Sequence, residues 1–287
     1  MSTLVWFDGA VRPAHEPVVT ALDRGLLVGD GVFDTCVVID GTPFALRRHL
    51  ARLARSAEIV GLPAPPLDVI TRAARDLASR LDGATGRLRV TWTAGPAAGG
   101  PARSAATPTL LLTAESHPVA HPAPGTAPAA GRTALVVVPW VRNERSPLVG
   151  AKSTSYAENV LAIEHARRHG GTEAVLANTR GELCEGGASN LFLETGGELL
   201  TPPLESGCLA GVTRELVLEW AAAAGLPVRE ATIPLADFRA AEHAAVTSAT
   251  RGIVPVDVLE GRELRPGPVT LEIQRVFAER VAQDLDP

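Results

Sequence analysis

Lysine is almost missing from this chain. Of its 27 basic residues, 26 are arginine and one is Lys152. Arginine serves wherever a solvated charge or a salt bridge is wanted, but its guanidinium cannot lose a proton and attack a carbonyl as an amine can. The formal charge of −5 gives no basic footprint for nucleic acid or an anionic membrane. No apolar run approaches the roughly 18 residues of a membrane span. The opening "MSTLVWFDGAVRP" has no basic stretch followed by a long apolar one, so a cytoplasmic location is expected. Three cysteines, Cys36, Cys184 and Cys208, are odd in number and far apart, which fits neither a disulfide framework nor a zinc site; they read as buried small residues. Seven histidines include no HExxH pattern, and no metal site is expected. His165 and His169 read as a solvated helix face, and His49 as a residue near a helix start.

What remains is concentrated around the lone lysine. It lies in "SPLVGAKSTSYAENVLAIEHARR", among small residues that leave room for a planar ligand. A lysine spared by compositional drift would more often sit in a charged surface stretch. Schiff-base chemistry is the usual reason to keep one amine. Tyr156, Val160, Ile163 and Ala166 recur at three- and four-residue spacing, so a helix is expected from Ser153 or Thr154. Tyr156, the only tyrosine, would then stand close to Lys152, either to hydrogen-bond a cofactor oxygen or to pack beneath the helix.

With 46% hydrophobic and 21% charged residues over 287 positions, the composition suits a globular protein of one large or two smaller domains. Strands are expected at Leu4–Phe7, Cys36–Ile39, Leu88–Trp92 and Thr109–Thr113, with helices after His49 and over Leu67–Leu81. A Pro- and Gly-rich stretch at 117–131 marks a domain boundary. The second half alternates strands (134–140, Glu173–Ala177, Asn190–Leu193) with helices after Lys152, over Thr213–Ala223 and over Thr270–Ala282. This is α+β patterning.

Two segments of the second half suit an anion. "CLAGVTRELVLEW" puts Val212 and Thr213 at a helix start, where free N–H groups and the macrodipole favour negative charge. "VTSATRG" offers the hydroxyls of Ser248 and Thr250. Hydroxyl-rich turns and Gly-Val-Thr helix starts are also common caps. "GELCEGGASNLFLE" supplies a carboxylate, Glu185, read as lying in a tight turn. Such a group could keep a pyridine nitrogen protonated, or could simply be solvated. The Gly-x-Gly of "GDGVFD", 29–34, matches no phosphate fingerprint and reads as a turn.

Amine, carboxylate and anion site together describe a pyridoxal phosphate pocket, and the chain resembles the fold-type IV (class IV) aminotransferases. That group holds D-amino acid transaminases, branched-chain aminotransferases and aminodeoxychorismate lyases. The resemblance runs nearly end to end through "DRGLLVGDGVFDT", "RRHLARLARSA", "AKSTSYAENVLA", "EAVLANTRGELCEGGASNLF", "TPPLESGCLAGVTRELVLE" and "VTSATRGIVPV". It implies a two-domain α+β fold: a small α/β domain at 1–118, a linker at 119–131 and a larger, β-rich cofactor-binding domain with flanking helices at 132–287. It implies pyridoxal 5′-phosphate as cofactor, Lys152 as the Schiff-base lysine and Glu185 as the partner of the pyridine nitrogen. Arg52, Val212, Thr213, Ser248 and Thr250 match phosphate positions, with Tyr156 beside the cofactor. Ala249 stands where many members have threonine. The family also implies a homodimer that completes a pocket between the domains.

Asp34, after Phe33, is similar to the D-amino acid branch, which has glutamate there. Ala94 stands where that branch typically has its carboxylate-binding arginine, so Arg142, Arg145 and Arg251 are the substrate-binding candidates, together with Phe33 and Asp34. The consecutive glycines that follow the lysine in branched-chain enzymes are absent. A transaminase acting on D-amino acids or related (R)-amines with a 2-oxo acid acceptor is therefore expected. The alternatives are a 4-amino-4-deoxychorismate lyase and a branched-chain L-amino acid transaminase.

Overall fold

Along 85–93, Leu88, Val90 and Trp92 are buried while Arg87, Arg89 and Thr91 are not, the period-2 alternation of a strand with one face on a core. That strand lies at the centre of the first of two compact units into which the chain divides. The computed structural model describes residues 3–82, 85–97, 102–103, 107–116 and 132–287; the expected linker at 119–131 lies outside the described residues. The first unit comprises Met1–Val119, Ala151–Tyr156 and Leu285–Pro287, and the second Ala120–Gly150 and Ala157–Asp284. Both Ala151–Tyr156 and the last three residues belong by sequence to the expected second domain, yet pack with the first unit.

In chain order the first unit contains β1 (Thr3–Phe7), β2 (Ala10–Pro13), α1 (Arg24–Leu27), β3 (Gly31–Ile39), β4 (Thr42–Pro43), α2 (Leu46–Ile59), α3 (Leu67–Ser79), β5 (Thr85–Thr93) and β6 (Thr109–Ser116). Its six strands form an antiparallel sheet in the order β2-β1-β6-β5-β3-β4. The core lies against α2 and α3, where Leu50, Leu53, Ile70 and Leu77 meet Val32, Cys36, Leu88 and Leu112. The chain's end is tied to the start of α2, with Ala45 N–H donating to Leu285 O (2.7 Å) and Arg47 N–H to Asp286 Oδ1 (3.0 Å).

The second unit contains β7 (Ala134–Arg142), α4 (Ala157–Arg168), β8 (Glu173–Asn178), β9 (Leu183–Gly186), β10 (Asn190–Thr195), β11 (Glu198–Thr201), α5 (Val212–Ala223), β12 (Val228–Glu230), α6 (Leu235–Arg239), β13 (His243–Ser248), β14 (Gly252–Pro255), β15 (Val258–Leu259), β16 (Arg262–Glu263) and α7 (Pro268–Gln283). Two five-stranded sheets, β12-β11-β10-β13-β14 and β16-β15-β7-β8-β9, contribute Leu191, Val246 and Val254 and Leu135, Val175 and Leu183 to one core. The helix α4 covers the outer side of β7 and β8 through Ala162 and Ala166, while Trp220 of α5 packs on Phe277 of α7. The three cysteines are buried and free.

Three expectations shift for physical reasons. The "GDGVFD" segment is a turn only at Gly29 (φ +66°); from Gly31 it is already strand. The helix after Lys152 begins at Ala157 because the preceding residues pair with β3. Phe33 N–H donates to Lys152 O (2.9 Å), Thr154 N–H to Gly31 O (2.9 Å), and Val32 bridges Ser153. Glu185 lies within β9, and the turn follows it at 187–189.

Candidate functional site

The first unit gathers its polar groups around β3 and α2. His49, Arg52 and Ser56 recur at helical spacing on the buried face of α2, where a core helix would normally carry apolar side chains. Each has a partner. Arg52 donates to Asp34 through Nε (2.8 Å) and Nη2 (2.7 Å), His49 Nδ1 lies 2.7 Å from Asp34 Oδ1, and Ser56 Oγ accepts from Lys152 N–H (3.0 Å). Burial would raise the Asp34 pKa, but the opposing charge of Arg52, with His49, holds it far below the ordinary carboxylate range. Burial pushes the His49 pKa down, against the pull of Asp34 and with the Arg52 and Lys152 charges adding to the fall.

Alternation along β3 turns Phe33 to the opposite face from Asp34. Lys152 Nζ lies 4.6 Å from the centre of the Phe33 ring and 5.6 Å from that of Tyr156, and the two rings meet edge to face at 5.4 Å. The guanidinium of Arg89, on β5, stacks 3.7 Å over the same Phe33 ring. Burial lowers the Arg89 pKa, Arg87 adds to the fall, and Tyr156 opposes it. Amine, guanidinium and two aromatic rings thus share one face of the sheet. Lys152, Tyr156 and Phe33 were predicted; Arg89, His49 and Ser56 were not. The HxxRxxxS spacing of α2 was the available signal for His49 and Ser56. The two-residue step from Arg87 to Arg89 put both arginines on the non-core face of β5.

In the second unit Glu185 is fixed at both oxygens. Oε2 accepts from Leu209 N–H (2.9 Å), and Oε1 lies 3.1 Å from Arg142 Nε, an ion pair short of an aligned hydrogen bond. Val212 and Thr213 open α5, which has no side-chain cap. A Cβ on Gly211 would overlap Asn190 Oδ1, so only glycine lets that asparagine close on the helix start. Nearby in register, Thr247 opposite Asn190 buries a hydroxyl with no partner among the described residues. Ser248 ends β13, and Thr250 lies in the turn that follows.

The expected substrate residues have other partners. Asp34 is 2% exposed and taken up by Arg52 and His49. Arg142 pairs with Glu185 and Glu158, Arg251 with Glu173, and Arg145 is exposed in a turn where its N–H donates to Asn143 Oδ1. A cleft of about 590 Å³ lined by Leu193, Thr195, Ile233, Asp237 and His243 contains none of the predicted site residues.

The model of the class IV amino-transferase family matches residues 31–259. The chain belongs to the class IV aminotransferases. It is 31% identical to the bifunctional aminodeoxychorismate lyase / D-amino acid transaminase of Mycobacterium tuberculosis, over 97% of each chain. A branched-chain aminotransferase from Thermoproteus uzoniensis, solved with norvaline, superimposes with a TM-score of 0.87 at 30% identity, covering 99% of this chain and 96% of that one. The PLP-bound form of a hypothetical aminotransferase from Mycobacterium tuberculosis gives 0.84 at 26%, covering 98% and 99%. The fold is the fold-type IV α+β architecture, and pyridoxal phosphate is the cofactor of this aminotransferase family. Within each unit the residues suit parts of that group: in the first the amine of Lys152, and in the second a doubly held carboxylate, an uncapped helix start and a buried hydroxyl with no partner among the described residues. No helix among the described residues is long and apolar enough to cross a membrane.

Proposed function

We propose that this aminotransferase moves an amino group between a D-amino acid, or a related (R)-amine, and a 2-oxo acid, with Lys152 as the reacting amine. The observation that carries the reading is the Phe33 ring, approached by both Lys152 Nζ and the Arg89 guanidinium. An amino acid presents an amine and a carboxylate one carbon apart, and this pair offers a group for each. Arg89 takes the anchoring role first assigned to Arg142, Arg145 or Arg251. The D preference is supported by "GDGVFD", by the lack of consecutive glycines after Lys152, and by the relative named for D-amino acid transamination.

Pyridoxal phosphate, when bound, supplies an electrophilic carbon and a ring that draws electrons from the substrate α-carbon. Lys152 Nζ takes the α-proton and returns it as general acid. Glu185, its oxygens held by Leu209 N–H and Arg142, keeps a proton on the pyridine nitrogen. Arg52, the N–H groups of Val212 and Thr213, and the hydroxyls of Ser248 and Thr250 hold the phosphate, and Tyr156 flanks the amine. A cytoplasmic setting fits the three free cysteines. A homodimer fits the exposed apolar side chains at Leu22, Leu26, Leu27 and Val28.

A second reading, lyase action on aminodeoxychorismate, is favoured by the same relative's other named activity. Spectra of the holoenzyme with D-alanine, L-leucine or aminodeoxychorismate, without oxo acid, separate the two. D-alanine alone is expected to convert the cofactor to its amine form, and Arg89→Gln to raise KM about tenfold or more for D-alanine but not for an (R)-amine lacking a carboxylate. Unchanged spectra with both amino acids, with pyruvate released from aminodeoxychorismate, would overturn transamination in favour of the lyase.

A further inference from the structure

Glu173, the first residue of β8, is 2% exposed, and both of its oxygens are committed. Oε1 accepts from Ala174 N–H (3.0 Å) and Ala188 N–H (3.3 Å), and Oε2 from Ser189 Oγ (2.9 Å) and Arg251 Nη2 (3.0 Å). The carboxylate therefore fastens the turn that follows Glu185 to the turn that follows Ser248. Gly187 lets the first turn close over it, since a Cβ there would come within 3.1 Å of Glu173 Oε1.

Arg251 continues the chain of contacts, its Nε donating to Ser248 Oγ at 3.2 Å. A serine hydroxyl has one proton and two lone pairs. With a lone pair taken by a guanidinium, the hydroxyl proton turns away from Arg251 toward an acceptor, and an anion is the acceptor it suits best.

We infer that Glu173 and Arg251 are positioning residues that hold the Ser248 hydroxyl as a donor to the cofactor phosphate. The inference rests on the reading above that Ser248 is a phosphate ligand. Glu173 fixes the guanidinium as the counter-charge of a largely buried pair, with side chains 3% and 23% exposed. Arg251 then sets the direction of the hydroxyl. Arginine is required because one fork must reach the carboxylate and the serine together, which a single ammonium does not do.

The test titrates the full-length apoenzyme with pyridoxal phosphate and with pyridoxal, which lacks the phosphate. Ser248→Ala and Arg251→Lys are each expected to weaken pyridoxal phosphate about tenfold, the worth of one hydrogen bond to a charged group, while pyridoxal affinity stays within about twofold. The double variant is expected to bind no more weakly than either single one, because both remove the same bond. The ³¹P resonance of the bound phosphate is expected to shift alike in all three. Arg251→Lys keeps the charge opposite Glu173 and so keeps the fold, while Glu173→Gln is expected to follow it in phosphate-specific loss. Phosphate-specific loss in Ser248→Ala with wild-type affinity in Arg251→Lys overturns the positioning role alone, as does equal weakening of pyridoxal and pyridoxal phosphate by Arg251→Lys. No phosphate-specific loss in Ser248→Ala overturns the Ser248 assignment, and the inference with it.

Discussion

Asp34, His49 and Arg52 are buried together in the interior of the first unit, and they set a pH dependence. The folded His49 pKa lies below its ordinary 6.5, so between the two values the unfolded chain binds a proton that the folded chain refuses. Stability therefore rises with pH through that window and is lost as pH falls below about 6.5. The charges acting on His49 are those of Asp34, Arg52 and Lys152. The Asp34 contribution is present above its unfolded value of 3.8 and is lost only as pH falls below it, through the depressed folded value, so it stays constant in mildly acid solution. His49→Gln is expected to flatten the stability curve between about pH 7 and 5, removing a slope of at most about 1.4 kcal/mol per pH unit. Urea unfolding of both proteins across that range checks it, and parallel curves would count against a buried neutral histidine. Lys152 and Glu185 were legible as chemical outliers, one by its rarity and the other by the small residues around it. His49 was not, because its spacing from Arg52 and Ser56 marks a helix face without saying whether that face is solvated or buried.

At the scale of elements, the start of α7 shows how the second unit replaces missing caps. Glu194, at 4% exposure on β10, accepts from Val269 N–H (2.9 Å), Thr270 N–H (2.9 Å) and Thr270 Oγ1 (2.7 Å), so a neighbouring strand supplies the carboxylate that the helix's own first turn lacks. Glu194→Gln keeps the shape but turns an amide N–H₂ toward a donor. It is expected to lower stability by about 1–3 kcal/mol in urea unfolding while leaving the cofactor spectrum unchanged. A variant as stable as the parent would show that the cap contributes little. Long periodic elements such as α2, α3, α5, α7, β5 and β8 could be read from local pattern, with ends off by a few residues. The misplaced ends of β3 and α4 share one cause. Residues 152–154 satisfy their backbone groups on a strand more than 100 positions earlier, and no local window contains that partner.

The same long-range pairing decides which unit holds the lysine, so the assignment of Ala151–Tyr156 to the first unit was invisible to composition. One surface of the first unit bears on assembly. Leu22, Leu26, Leu27 and Val28 are 56%, 68%, 54% and 54% exposed, in and around a helix of four residues whose Arg24 is buried and bonded to Asp30. A short element pinned by a buried ion pair, with its apolar side chains outward, has a rigid face that water solvates poorly. Under the homodimer proposed above, a second copy of the chain is the occupant of this face. Leu26→Glu with Leu27→Glu would bring two charges into each copy of that face, which association must then desolvate. Sedimentation velocity is expected to show a dimer for the parent and a shift toward monomer for the double variant, with far-UV circular dichroism unchanged because neither side chain enters the core. A parent that sediments as a monomer, or a double variant that stays dimeric, would place assembly elsewhere on the molecule.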